Sequence, residues 1–315
     1  MQLPVLKIAD LIASVPIIQG GMAVRISTAP LAAAVANEGG IGIIAGTGME
    51  PDELRQEIRT ARSLTSGIIG VNILFAVSQF ADLVKAAISE KIDLVISGAG
   101  FSRDMFGWGR ESNTPIVPVV SSAKLAVLAE KLGAAAVVVE GKEAGGHLGT
   151  DRPMLEILPE VTAAVHIPVI AAGGIIDGYQ IAHAIRMGAS GVQMGTRFAA
   201  SIESNASDAF KHMYLESRPE DVVHVHSPVG LPGQALRSPF FNRIERGDNL
   251  DNDECLACLK RCDHSFCIMT ALNNACKGGD IEKALVFCGE YVHKVKEILS
   301  VSAIFQKLKL EAASA

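Results

Sequence analysis

The residue best placed for acid–base chemistry is His147. It closes the run Glu140-Gly141-Lys142-Glu143-Ala144-Gly145-Gly146-His147, where little side-chain bulk surrounds the imidazole. Histidine transfers protons near neutral pH, and the other seven histidines have no comparable setting. A lone histidine is otherwise more often structural. Two further stretches suit a phosphate, Ala172-Gly173-Gly174-Ile175 and Gln193-Met194-Gly195-Thr196. Backbone N–H groups of glycine loops at helix starts bind phosphate.

A third cluster is Cys255, Cys258, Cys262 and Cys267, four thiols within 13 residues. CxxC brings two sulfurs together within a turn. Thiolates this close repel unless a cation neutralises them, and a reducing compartment disfavours disulfides. The spacing resembles an iron–sulfur or zinc site. A [4Fe–4S] cluster is the expected group and zinc the alternative, because zinc sites usually pair two CxxC units across a longer gap. Inert buried cysteines are the bland reading. Cys276 and Cys288 fall on helical patterns and read as core thiols. No Ser-His-Asp signature and no phosphate-binding P-loop is present.

The elements that must position these residues follow from hydrophobic patterning. Apolar runs recur at Pro16–Gln19, Ile41–Ala45, Ile68–Ile73, Asp93–Ser97, Pro115–Val120, Ala136–Glu140, Pro168–Ala172 and Gly191–Gly195. Each is continuous rather than alternating, as in parallel strands covered on both faces. Helical periodicity fills the gaps at Thr28–Asn37, Pro51–Arg62, Gln79–Glu90, Ala123–Leu132, Leu155–Val165 and Gly178–Met187. Eight evenly spaced strand–helix units predict an α/β fold, a (β/α)8 TIM barrel; a doubly wound sheet is the alternative. The predicted barrel covers residues 1–217, with its eighth unit ending in a helix around Ser204–Ser217. Residues 218–315 are predicted to form a mostly helical appendage. It would hold a Pro/Gly-rich loop at Ser227–Phe241, an acidic turn-rich stretch at Asp248–Glu254, the cysteine segment 255–267 and helices within Ile281–Leu299.

Composition narrows the function classes. Of 315 residues, 49% are hydrophobic and 20% charged, which excludes a disordered chain. A net charge of −6 argues against nucleic acid as a partner. The longest uncharged run, Ser63 to Ala81, is too polar to span a membrane. Lys7 and Asp10 interrupt the N-terminal apolar stretch, so no signal peptide is expected and the location should be cytoplasmic.

A barrel carries its active site at the C-terminal strand ends. Glycine recurs along that rim, at Gly20-Gly21, Gly46 and Gly48, Gly98 and Gly100, Gly145-Gly146, Gly173-Gly174 and Gly195. Such a rim lets backbone approach something flat and large. Phosphate sites in barrels commonly follow strands 7 and 8, so a phosphorylated cofactor or substrate is expected.

These rim residues resemble the nitronate monooxygenase family, which includes the FMN-dependent enoyl-acyl-carrier-protein reductases. The matching stretches are IIQGGM at 17–22, GVNIL at 70–74, EGKEAGGHLG at 140–149, PVIAAGGIIDG at 168–178, GVQMGTRF at 191–198 and GLPGQALR at 230–237. The resemblance implies a TIM barrel binding FMN, with NAD(P)H as co-substrate. Gly21 and Met22 would line the flavin ring. Asn72 and Glu140 would contact the ring or ribityl chain, and Gly145 and Gly146 would flank it. Gly173, Gly174, Gly195 and Thr196 would hold the phosphate, with Gln193 nearby, and His147 would be catalytic. Some nitronate monooxygenases carry a lysine on strand 5, where Val119 and Val120 stand here. That departure leans toward reduction of an enoyl thioester, as does the poor match of an iron–sulfur cluster with routine O₂ chemistry. Oxidation of alkyl nitronates with O₂ is the alternative, and a non-redox phosphate-binding isomerase a further one. The AAGGI and GVQMGT pieces also resemble the phosphate site of inosine monophosphate dehydrogenase, but the loop Gly141–Arg152 lacks the cysteine that enzyme needs. The expected partner is a small molecule or acyl thioester, and a homodimer is compatible with this reading.

Overall fold

The computed structural model describes residues 2–248, 250 and 255–315. Eight parallel strands form the centre: β1 (Ile17–Gln19), β2 (Gly42–Ala45), β3 (Ile69–Leu74), β4 (Leu94–Gly98), β5 (Ile116–Val120), β6 (Val137–Glu140), β7 (Val169–Ala172) and β8 (Gly191–Met194). Neighbours pair in chain order, and β8 returns to β1 through Val192 opposite Ile17. The barrel shuts between β1 and Ile41, where the Gln19 amide donates to the Ile41 carbonyl at 3.0 Å and the Ile41 amide to the Ile17 carbonyl at 2.9 Å. This is the (β/α)8 TIM barrel that the eight apolar runs predict.

Side chains alternate along each strand, so one set fills the lumen and the other meets the helices. Ile18, Ile43, Ile96, Val117, Val138 and Ile170 pack together inside. Val71, Val95, Val139, Ala171 and Val192 face outward. The ring of helices is α1 (Ala29–Asn37), α2 (Pro51–Leu64), α3 (Phe80–Ser89), α4 (Asp104–Ser112), α5 (Ala123–Leu132), α6 (Met154–Ala164) and α7 (Gly178–Arg186). Their starts carry local signals. Ser122 caps α5 by accepting from the Leu125 amide, and Asp177 and Gln180 form a capping box on α7.

The last helix of the ring lies much further along the chain than the expected Ser204–Ser217. A helix does form at Asp208–Glu216, but it packs against the turn at Val292–Lys294. Helix α8 (Val301–Ala313) instead lies along α7 and touches α1, with Phe305 and Leu308 buried. Residues well beyond 217 therefore complete the barrel's outer layer.

The region after the barrel departs from a mostly helical appendage. Within the expected loop Ser227–Phe241, Pro232–Leu236 is a strand paired with Val222–His226, and Pro239–Glu245 is a helix capped by Ser238. Within Ile281–Leu299 only two short turns form, Ile281–Lys283 and Val292–Lys294. Between them the chain runs extended because its polar groups serve other segments. The Leu236 amide donates to Val286, the Cys288 amide to Gln234, and the Gly289 amide to Thr196 Oγ1. The apolar spacing there reflects burial of Leu285, Val286, Cys288 and Val292 rather than a helix face. Of the acidic stretch Asp248–Glu254, Asn249 and residues 251–254 lie outside the described residues. No helix among the described residues is long and apolar enough to cross a membrane.

Candidate active site

A cavity of about 210 Å³ opens at the C-terminal ends of the strands. Its floor is the top inward layer of the barrel. Val137 and Val139 face the helices while Val138 faces the lumen, so Glu140, two residues after Val138, also points inward. The same alternation turns Asn72 inward on β3 and Gln193 inward on β8. All three line the cavity. Asn72 Nδ2 donates to the Gly21 carbonyl at 3.2 Å. Its Oδ1 and the Oε1 of Gln193 are buried with no hydrogen-bond partner. Buried acceptors are normally satisfied, so the floor offers two oxygens to a ligand bearing N–H donors.

The walls are backbone. Gly21, Met22, Gly145, Gly146, Gly173, Gly174, Gly195 and Thr196 all line the cavity, together with His147. The structure therefore gathers around one space His147 and every barrel residue expected at the cofactor, while the rim glycines Gly46, Gly48 and Gly100 do not line it. Gly174 has φ +72°, a conformation that favours glycine. Its carbonyl accepts from Gln180 Nε2 at 2.7 Å, which ties the turn to the start of α7. This end, free of side-chain bulk at three glycines, suits an anionic group at a helix N-terminus. Thr196 already accepts from the Gly289 amide at 2.9 Å through its hydroxyl.

His147 is held by an element that local patterning does not reveal. Gly146–His147 forms a third strand on the sheet made by Val222–His226 and Pro232–Leu236, with His147 opposite Gly233. Its Nε2 lies 2.8 Å from Ser227 Oγ, and its ring meets the Phe287 ring edge-on, centroids 5.2 Å apart. Burial lowers its pKa to about 4, so the imidazole is neutral near pH 7. Burial raises Glu140 to about 7, since no cation or donor is paired with it.

These two shifts act on stability in opposite senses. Between 4.5 and about 7 the folded chain holds the Glu140 proton that the unfolded chain has lost, so this contribution is full at low pH and fades as pH rises through 7. Between about 4 and 6.5 the unfolded chain holds an extra proton on His147, so that contribution is full above 6.5 and fades as pH falls toward 4. In ligand-free protein, Glu140→Gln should therefore gain stability over the parent as pH is raised from about 5 to 8. Urea midpoints across that range check this; a constant difference would mean Glu140 is not held protonated.

Residues the sequence reading missed come from the appendage. Ile268, Met269 and Leu272 form an apolar wall, and Phe287 and Tyr291 line the cavity beside the glycine loops. A Cβ at Gly145 would sit 2.6 Å from the Cys288 carbonyl carbon, so the glycine is what lets the two loops meet. No spacing in the sequence connects these segments to the barrel mouth.

The expected four-cysteine metal site is not supported. Among the described residues, no group of three or more His, Cys, Asp or Glu is arranged to hold a metal ion. Cys255 is exposed, with Sγ 4.0 Å from His264 Nδ1. Cys267 Sγ accepts from the Thr270 amide and hydroxyl as the cap of the short helix Ile268–Asn273. Burial pushes the Cys258 thiol up, with Cys267, Cys262 and Cys255 adding to the rise. The order that a metal was expected to supply comes from backbone pairing instead. The Ser78 amide donates to Cys258, the Lys260 amide to Ala76, and Lys260 Nζ sits 3.7 Å from the Phe75 ring centroid. Cys276 and Cys288 are buried thiols, though neither is on a helix.

Known proteins share this architecture. The structure of FabK from Thermotoga maritima is similar at a TM-score of 0.84 and 36% identity, covering 95% of this chain and 93% of that one. A probable nitronate monooxygenase from Staphylococcus aureus is 30% identical over 73% of this chain and 78% of its own length. A hydroxy-methyl-oxo-octahydroindene-carboxyl-CoA dehydrogenase from Rhodococcus jostii is 34% identical over 75% of this chain, and the match spans 66% of that relative's length. The family-wide sequence pattern of the nitronate monooxygenases is matched over residues 6–97 and 79–311. With the barrel, the glycine rim and His147 on one cavity, that near-complete match means the chain belongs to the nitronate monooxygenase family of oxidoreductases.

Proposed function

We propose that this chain is an FMN-dependent oxidoreductase that uses NAD(P)H to reduce the activated C=C of an enoyl thioester. The observation that carries the cofactor is the pair of unpartnered buried oxygens, Asn72 Oδ1 and Gln193 Oε1, on the floor of a glycine-walled cavity. They suit the donors a flavin mononucleotide carries, its N3–H and its ribityl hydroxyls. Gly173, Gly174, Gly195 and Thr196 would take its phosphate, and Gly21, Met22, Gly145 and Gly146 would lie against the ring. When bound, FMN supplies hydride acceptance and delivery, which no side chain can. His147, or a water it orients, manages the proton at the substrate's α carbon. Ile268, Met269 and Leu272 give the cavity an apolar wall for the substrate.

The lean toward thioester reduction rests on Val119 at the cavity, in place of a strand-5 lysine, and on the likeness to FabK and to a CoA-ester dehydrogenase. With no metal-holding group among the described residues, an oxygen-sensitive cluster does not bear on the choice. Oxidation of alkyl nitronates is the second reading, favoured by the Staphylococcus aureus relative; His147 would then be the base on the neutral nitroalkane. The purified protein should show flavin absorbance bands. NAD(P)H oxidation with a crotonyl thioester, run beside O₂ uptake with a nitronate, tests the reaction. Colourless protein that takes up no FMN would leave the non-redox isomerase. Coloured protein active only with the nitronate would overturn the reductase reading.

A further inference from the structure

The contact between His147 and Ser227 determines more than the ring's position. Ser227 follows the strand Val222–His226 and is fully buried. Its Oγ lies 2.8 Å from His147 Nε2 and accepts a hydrogen bond from the Val229 amide at 3.4 Å. Among the described residues, no acceptor other than Nε2 is within hydrogen-bond reach of that hydroxyl. Two arrangements are therefore available. If Nε2 carried the ring proton, it would donate to Oγ, and the buried hydroxyl proton would have no acceptor. If Nε2 is bare, the hydroxyl donates to it and every group at the contact is satisfied. A buried donor without a partner is the costly case. The neutral ring's single proton then belongs on Nδ1, which has no hydrogen-bond partner among the described residues, while the ring lines the cavity.

We propose that Ser227 is the positioning residue for His147: by donating to Nε2 it fixes the Nδ1–H tautomer and makes the imidazole a neutral hydrogen-bond donor toward the substrate. This rests on the reading above that His147 faces the substrate. In an enoyl thioester, hydride adds at the β carbon, the C=C electron pair shifts toward the α carbon and the thioester oxygen, and negative charge gathers on that oxygen. Nδ1–H hydrogen-bonds to this oxygen and keeps its proton. The proton that completes the α carbon comes from water. The acceptor class is thus an oxygen that gains charge, and one hydroxyl prepares the donor. An Nδ1–H ring with Nε2 held by Ser227 has no free nitrogen to act as base on a neutral nitroalkane, so this tautomer sides with the reductase reading.

The test is a long-range ¹H–¹⁵N correlation spectrum of the holoprotein's histidine rings near pH 7, with the His147 signals assigned by their loss in His147→Gln. The expected spectrum shows His147 neutral, protonated at Nδ1 and bare at Nε2. Ser227→Ala should shift the ring toward protonated Nε2 and lower kcat roughly tenfold with KM held. Ser227→Thr keeps the hydroxyl and should restore the tautomer. A parent spectrum with protonated Nε2 overturns the proposal, and so does an Nδ1–H ring that persists in Ser227→Ala. The tautomer is read without turnover. If it is as expected while neither substrate assay gives activity, the proposed reaction fails and the role of Ser227 stands.

Discussion

His147→Ala should keep its flavin and lose most of its turnover, roughly 10²–10⁴-fold. The two halves of this expectation come from different parts of the site. Flavin retention depends on the loops after β7 and β8 and on the floor oxygens of Asn72 and Gln193, none of which bonds to His147. Turnover depends on a polar group at the substrate, and His147 is the cavity residue held for that task by a neighbour, through Ser227 at 2.8 Å. Loss of the ring also removes its edge-on contact with Phe287, which the hydrogen bonds of the surrounding three-stranded sheet should absorb. The flavin-to-protein ratio from absorbance and steady-state rates with both substrates give the two readouts. A variant as active as the parent would make His147 a structural residue.

Gly174→Ala is expected to weaken FMN binding by roughly 10–100-fold. At φ +72° an L side chain is strained, and the new Cβ would lie 2.8 Å from the Tyr291 ring and 3.0 Å from Glu143 Cβ. Of these neighbours, Glu143 does not yield freely. Glu143 is buried, with a carboxylate oxygen accepting from the Met154 amide at 3.0 Å, and its carbonyl accepts from the Glu290 amide. The free loop would relax to a different turn, and binding would have to restore the cradle. Gly107→Ala on α4 is the control, because a Cβ there meets nothing within 4 Å. Titration of flavin-free protein with FMN measures both. Unchanged affinity in Gly174→Ala would put the phosphate somewhere other than this turn.

The barrel was legible because its determinants are local. Helix α5 spans Ala123–Leu132 as the periodicity predicts, and each strand begins or ends within a residue of its apolar run. Unbroken apolar runs between amphipathic stretches can be buried on both faces in few other ways. The site was legible to the same depth. The rule that barrel sites lie at strand C-termini brings the glycine loops and His147 to one mouth, whereas Asn72, Glu140 and Gln193 are assigned to the flavin through the family resemblance. Helix α4 escaped notice because Gly107 and Gly109 interrupt its pattern.

What only the tertiary structure decided lies after residue 217. Helix α8 completes the ring although the appendage from residue 218 to 300 precedes it, because it packs on α7 and α1, a long-range contact that local periodicity does not record. Phe287–Gly289 runs extended because strand Pro232–Leu236 and Thr196 take its polar groups, overriding a pattern that reads as helix. The four cysteines suggested a metal because spacing was the only information available, whereas the backbone of Cys258 and Lys260 is held by Ser78 and Ala76, far away in the chain. His147 could be named from its neighbours, but not Ser227, 80 residues on, which orients it. Apolar periodicity is a short-range property and sets the elements. Which surfaces and hydrogen-bond groups remain unsatisfied once those elements pack is a long-range property, and it chose how the appendage closes over the barrel mouth.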